Sequence, residues 1–269
     1  MDLWTYLESE LAEDARLGIA AGTGPAQRTG YPGDPAVYVA EDEVDVEADD
    51  ARYLARPLGT GATPAAPVPA VLVIHENKGL TPYVRNTARR LARHGYLAVA
   101  PDLLAPLGGT GAFEPDQVTK ALAGIAADDV VAYLKGVVSE VAGASGVRAD
   151  RLGMVGFCYG GGVTWRMLTR DARIRAGVPF YGPTPDADAV ATIAGDTLAI
   201  YGETDQRITS MLPGIRAAMA EHGKPFRAIV YPGAGHAFHN DSNPDRYHAE
   251  AAGQAWEAAV GFLDGVLRS

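Results

Sequence analysis

Cysteine is almost absent from this 269-residue chain, which holds one, Cys158. A single thiol excludes an intramolecular disulfide and a cysteine-built zinc site, and it fits a reducing compartment where a free thiol survives. Basic residues are also short, 23 Lys and Arg against 33 Asp and Glu, for a formal net charge of −10. That balance argues against nucleic acid or an anionic membrane as a partner, since both call for a basic face. No apolar run approaches the ~18 residues of a membrane span. Met1-Asp2-Leu3-Trp4 lacks the basic start and apolar core of a secretion signal. A cytoplasmic location is the expectation. What the chain does hold is apolar residue, 47%, and a length suited to one large α/β domain or two small ones.

Residues 1–20 read as a helix, with Leu3, Leu7 and Leu11 recurring between acids. Gly22–Gly33 reads as loop, and residues 1–40 as an extension ahead of an α/β domain over 41–269. Glu43–Glu47 alternates acid and valine like an edge strand, with Arg52–Arg56 as hairpin partner or neighbour and Thr60–Pro69 as connector. Strands are expected at Val71–His75, Tyr96–Ala100, Leu152–Phe157, Gly177–Tyr181, Leu198–Tyr201 and Arg227–Tyr231, about eight in all. Helices are expected at Tyr83–His94, Pro115–Glu140, Val163–Thr169, Ser210–His222 and Pro244–Leu267, with a short helix or lid piece at Asp186–Ile193. Strands spaced by helices demand a mostly parallel sheet with helices on both faces, whose ligands sit beyond the carboxyl ends of the strands.

Cys158 stands in Gly156-Phe157-Cys158-Tyr159-Gly160, between an apolar strand and a helix. Gly-x-Cys-x-Gly in that setting is the nucleophile-elbow pattern with sulfur in place of the serine oxygen. A side chain perched on a sharp, strained turn needs neighbours without Cβ atoms. The following helix aims its first N–H groups and positive end at the sulfur, which favours thiolate and holds a developing oxyanion. The plain alternative is a buried cysteine in a glycine-rich turn.

A cysteine nucleophile needs a base, and the base an orienting acceptor. Among six histidines, His94 and His222 read as helix-end residues and His248 as an exposed residue of the closing helix. His75 ends a strand, pointing away from Glu76. His236 is delivered from a strand end by Pro232-Gly233-Ala234-Gly235. Asp205 follows the Leu198–Gly202 run on the carboxyl side of the sheet, with Asp102 and Asp196 as weaker competitors and a helix N-cap as its plain alternative. The order is then nucleophile, acid, histidine, as in α/β-hydrolases. Glu76, at a neighbouring strand end, could accept the S–H bond or serve as a further base. The backbone N–H groups of Tyr159 and Asn77 are the candidate oxyanion donors.

His75-Glu76-Asn77-Lys78-Gly79-Leu80, Ala100-Pro101-Asp102-Leu103, Gly156-Phe157-Cys158-Tyr159-Gly160-Gly161, Tyr201-Gly202-Glu203-Thr204-Asp205 and Tyr231-Pro232-Gly233-Ala234-Gly235-His236-Ala237-Phe238 together resemble the dienelactone hydrolase (carboxymethylenebutenolidase) family. Tyr53-Leu54-Ala55-Arg56-Pro57 matches upstream, so the resemblance spans about residues 45–267. It implies an α/β-hydrolase fold, a Cys158-His236-Asp205 triad, and a Glu76 that contacts the thiol and swings as substrate binds. Small lactones or esters are then the substrates, no cofactor or metal is called for, and a homodimer is left open. Lys78, Tyr181, Phe238 and His239 are candidates to line the pocket. One departure bears on substrate. The two arginines with which the family holds a substrate carboxylate are replaced by Pro106 and Asn240, and Lys78, Arg85 or Arg207 would have to substitute. Two other readings stay open: a flavodoxin-like cysteine protein of amidotransferase or glyoxalase type, and a non-catalytic redox sensor.

Overall fold

A computed structural model describes residues 3–16, 33–34, 36–59 and 66–269. The loop expected over Gly22–Gly33 falls almost wholly outside the described residues, as does most of the connector Thr60–Pro69. The chain builds an eight-stranded sheet: β1 (Val44–Ala48), β2 (Arg52–Pro57), β3 (Val68–Ile74), β4 (Leu97–Pro101), β5 (Val147–Phe157), β6 (Ile174–Phe180), β7 (Asp196–Gly202) and β8 (Phe226–Tyr231). The order across the sheet is β1-β2-β4-β3-β5-β6-β7-β8. β1 and β2 form an antiparallel hairpin at one edge, β2 runs antiparallel to β4, and every other pair is parallel.

Central strands read as unbroken apolar runs because helices cover both faces. Val71, Leu72, Val73 and Ile74 of β3 are fully buried, as are Met154, Val155 and Phe157 of β5. The parallel pairs require crossovers, supplied by helices such as Pro82–Arg93, Tyr159–Arg170 and Leu212–Glu221. Gly95, at φ 85°, turns the chain out of the first of these behind the C-cap His94.

Three expectations change. The long helix over 115–140 is two helices, Val118–Ala123 and Ala127–Gly143. The break falls at Gly124-Ile125-Ala126, where Ala126 is extended (ψ 139°) and Asp128 and Asp129 then sit in the next helix's first turn. The helix expected over Ser210–His222 runs Leu212–Glu221 with His222 as the C-cap, and a separate one-turn helix, Gln206–Thr209, precedes it. His248 is a half-buried N-cap of the Ala249–Leu267 helix, accepting the Ala251 N–H at 3.3 Å.

Helix α1 (Leu3–Arg16) packs against the Tyr159–Arg170 and Val118–Ala123 helices, over the carboxyl ends of the strands. Its buried side chains include Tyr6, Leu7 and Glu10. A tyrosine and a glutamate on the inner face of a leucine-spaced helix need polar partners below.

Candidate active site

Among the described residues, the non-glycine positions with positive φ are Cys158 (56°), Tyr181 (37°) and Ala237 (58°). Cys158 and Tyr181 directly follow β5 and β6 and Ala237 lies in the loop after β8, on the side of the sheet where backbone strain clusters at functional sites. At Cys158 the strain is held by the Cys158 N–H donating to the Phe180 carbonyl at 3.0 Å. The Cys158 carbonyl meanwhile accepts from Gly161 and Gly162 and starts the Tyr159–Arg170 helix. Gly160 is obligatory there, since a Cβ would run into the Ile74 and His75 carbonyls where β3 ends. The expected elbow is thus present, with its sulfur at a helix N-terminus.

The loop after β7 carries Asp205 and the loop after β8 carries His236. Gly202 lets the loops touch, because a Cβ would meet the Gly235 and Ala234 carbonyls. Thr204 fastens them, its N–H and hydroxyl both donating to the Ala234 carbonyl at 3.0 Å. Asp205 does occupy an N-cap position, of Gln206–Thr209, but its side chain makes no capping bond. It lies with Oδ2 2.6 Å from His236 Nδ1. Of the competing acids, Asp102 accepts the Leu104 and Thr110 N–H groups and shapes its own loop. Asp196 begins β7, at the far end of the strand.

Cys158, His236 and Asp205 therefore converge: a ring nitrogen of His236 is within 4.8 Å of Sγ. All three are buried, Cys158 to 2% exposure. The cover is α1. The Tyr6 hydroxyl lies 3.2 Å from both Sγ and His236 Nε2. Glu10 Oε2 is 3.2 Å from Nε2 and accepts the thiol at 3.6 Å. Arg207, two residues past Asp205, pairs with Glu10 Oε1 and donates to Ser9 Oγ at 2.7 Å. Sequence reasoning missed Tyr6 and Glu10. The one signal was a glutamate on the flank of an apolar stripe, a charge that burial forbids without a cation.

These neighbours set the ionisation. Burial pushes the Glu10 carboxyl up, but the charges and hydrogen bonds of His236 and Arg207 outweigh it and hold the group well below the usual carboxylate range. Burial works against a charged His236, yet Glu10 and Asp205 raise it well above its ordinary value. Burial, followed by the Glu10 charge, pushes the Cys158 thiol up. With α1 seated, the imidazole is a cation and the sulfur a thiol.

Glu76 is placed at the end of β3, buried, with Oε2 accepting from Asn240 Nδ2 and Oε1 from the Tyr181 hydroxyl at 3.4 Å. No hydrogen bond among the described residues joins it to Cys158; the carboxylate on the thiol is Glu10. Asn240 and Tyr181 hold Glu76 back, and burial drives its carboxyl up to about 7. Tyr159 follows the sulfur at the start of the elbow helix and Asn77 lies buried in the loop after β3. Tyr181 meets His236 edge-on, centroids 5.1 Å apart. Phe238, fully buried, packs behind Tyr181. His239 is stacked on Phe157 with Nδ1 2.6 Å from the Tyr83 hydroxyl, and burial lowers its pKa well below the ordinary value. Lys78 turns toward Thr119 at 3.4 Å. Arg85 lies over the Tyr53 ring, leaving Arg207 as the arginine among the three that reaches the sulfur's neighbourhood.

His75, next in the chain before Glu76, joins two loops. The Leu103 N–H donates to Nε2 at 3.0 Å, so Nε2 accepts and Nδ1 carries the proton, donating to the Glu76 carbonyl at 2.6 Å. Burial lowers its pKa and keeps the ring neutral.

Residues 58–267 match the model of the dienelactone hydrolase family. The "Putative carboxymethylenebutenolidase" of Methylorubrum extorquens is 32% identical over 222 residues, covering 75% of this chain and 76% of that protein. The "Probable 2-oxo-3-(5-oxofuran-2-ylidene)propanoate lactonase" of a Bradyrhizobium species is 32% identical over 241 residues, covering 84% and 94%. The crystal structure of the "Putative Dienelactone Hydrolase" from Klebsiella pneumoniae is 30% identical with a TM-score of 0.71, over 79% of this chain and 91% of that one. Among the described residues no helix is long and apolar enough to cross a membrane.

Proposed function

The chain belongs to the dienelactone hydrolase family of α/β-hydrolase-fold enzymes, and from that membership we propose that it hydrolyses small lactones or esters through an acyl-cysteine intermediate on Cys158. The observation that carries the reading is the series Asp205 Oδ2 to His236 Nδ1 at 2.6 Å, with the sulfur on a strained elbow beside the other face of the ring. Asp205 fixes the tautomer, leaving neutral Nε2 to take the thiol proton. Sγ then bonds to the carbonyl carbon, and the oxyanion receives the Tyr159 and Asn77 N–H groups. Collapse breaks the C–O bond, and His236 returns the proton to the departing alkoxide, which in a lactone stays tethered to the acyl group. Water, deprotonated by His236, adds to the thioester and releases the acid and the thiol.

Glu76, its carboxyl pushed up to about 7 and 3.4 Å from the Tyr181 hydroxyl, keeps a protonated fraction near neutral pH and can serve as a proton donor at the rim of this site. The lactonase name of the Bradyrhizobium relative supports a cyclic ester as substrate. Cys158→Ala and Cys158→Ser, assayed on a panel of lactones, aryl esters and thioesters, test the assignment. The alanine variant should lose at least about a thousandfold in kcat/KM, and intact-mass spectrometry of wild type with an activated ester should show one acyl group on Cys158. Undiminished turnover in the alanine variant would falsify the nucleophile.

A further inference from the structure

Two side chains of α1 occupy the space a substrate needs. An attacked carbonyl must come within ~3–3.5 Å of the sulfur, beside Nε2. That position holds the Tyr6 hydroxyl, 3.2 Å from both atoms, and Glu10 Oε2, 3.2 Å from Nε2 and 3.6 Å from Sγ. Leu7 of the same helix is 1% exposed and belongs to the apolar core that seats α1. Helix and substrate exclude each other.

We propose that α1 is an internal competitive ligand of the active site, and that Arg207, the cation seating its Glu10 carboxylate, is the subsite for a substrate carboxylate once the helix lifts. The inference deepens the hydrolase reading and rests on it for the identity of the reacting atoms. Arg207 comes from the loop after β7, and its guanidinium stands over the Tyr6 ring at 5.3 Å as well as on Glu10 and Ser9. It also forms a long ion pair, 3.9 Å, with Asp205 Oδ1, while Oδ2 serves His236. The Glu10 carboxylate spans from Arg207 with one oxygen to the reacting pair with the other. A ligand acid at the same arginine therefore has its carboxylate only a few bonds from the scissile carbonyl. The substrate class is an ester or lactone bearing such an acid.

The charge state agrees with the geometry. With Glu10 in place, His236 is held protonated by two carboxylates and cannot accept the thiol proton. Departure of Glu10 removes one of those anions, and the base becomes available as the site empties. A site occupied by its own helix binds substrate with an affinity reduced by the fraction of molecules that are open.

The test uses the full-length chain. Iodoacetamide alkylation of Cys158, followed by intact mass, reads access to the sulfur whether or not it is the nucleophile. Glu10→Ala and Leu7→Ala should both speed it about tenfold or more. Leu7→Ala touches no reacting atom, so it separates access from the change in thiol charge that Glu10→Ala also brings. Turnover of p-nitrophenyl acetate and of mono-p-nitrophenyl glutarate is then compared. Glu10→Ala should raise kcat/KM for both, and adding Arg207→Gln should lower the acidic ester about tenfold more than the neutral one. Unchanged alkylation in both single variants overturns the internal ligand. A fall in turnover of both esters in Glu10→Ala does so too, making Glu10 a working part of the site. An unaltered preference in the double variant overturns the Arg207 subsite. Failure of the cysteine mechanism would show elsewhere, as retained turnover in Cys158→Ala.

Discussion

The sheet rim and α1 each bring one buried carboxylate to the neighbourhood of the same sulfur, and the two are in opposite states. Glu76, from the rim, meets neutral donors, the Asn240 amide and the Tyr181 hydroxyl, and its carboxyl rises to about 7. Glu10, from α1, is as deeply buried but meets Arg207 and His236, and stays ionised. Burial alone therefore does not decide charge; the partners do. The rim residue belongs to a framework that persists when the site empties. The helix residue closes an ion pair that exists only while α1 is seated.

The strongest way to break this contrast is His236→Ala. It takes one of Glu10's two cations and neither of Glu76's hydrogen-bond donors, and it removes the base. Ester turnover should fall by about a thousandfold or more, and a variant that keeps its kcat would disconnect the imidazole from both carboxylates.

Glu76→Gln comes next. The folded chain keeps a proton on Glu76 that the unfolded chain releases near the ordinary carboxylate value. The stability from this neutral, buried carboxyl is complete below that value and is lost as pH rises through about 7. Glutamine cannot ionise. In urea unfolding the variant should therefore gain on wild type by up to about 3 kcal/mol between pH 4 and pH 8.5. A difference independent of pH would mean that Glu76 ionises as easily folded as unfolded.

The smallest effect belongs to Glu10→Gln. Glu10 has its carboxyl lowered, so its contribution is present above the ordinary value and fades as pH falls. Arg207 keeps about a fifth of its side-chain surface exposed, and α1 can leave rather than suffer an unpaired charge. The loss at pH 7 should be only about 1 kcal/mol, shrinking toward acid, the reverse of the Glu76 trend. A loss growing toward acid would sink the assignment of its charge.

The rim was legible from the chain because its constraints are local. Gly156 and Gly160 bracket Cys158 within five residues, and strand, turn and helix follow in a row. Gly233-Ala234-Gly235 similarly announces the His236 turn. The apolar runs place β3 to β8, and the acid–valine alternation at 43–47 places the β1 edge. The break at Gly124-Ile125-Ala126 was less legible, since one glycine in an apolar pattern reads as tolerated. The seat of α1 was not legible at all. Leu3, Leu7 and Leu11 announce a buried face, but the partner that makes Glu10 tolerable is Arg207, far along the chain and itself undistinguished by any motif. Glu76 was found as a position and missed as an interaction, because Asn240 reads only as a lost arginine until its amide is seen on the carboxylate.

One quieter residue carries a consequence for how this rim behaves. His75 spends both ring nitrogens on main-chain atoms, one on each of two adjoining loops, and so acts as a strut whose charge is indifferent to the medium. The loop that presents Glu76 is pinned beside the β4 loop on either side of neutrality. The neighbouring carboxyl can gain or shed its proton without the scaffold beneath it shifting, and ionisation and shape are thereby uncoupled at one corner of the rim.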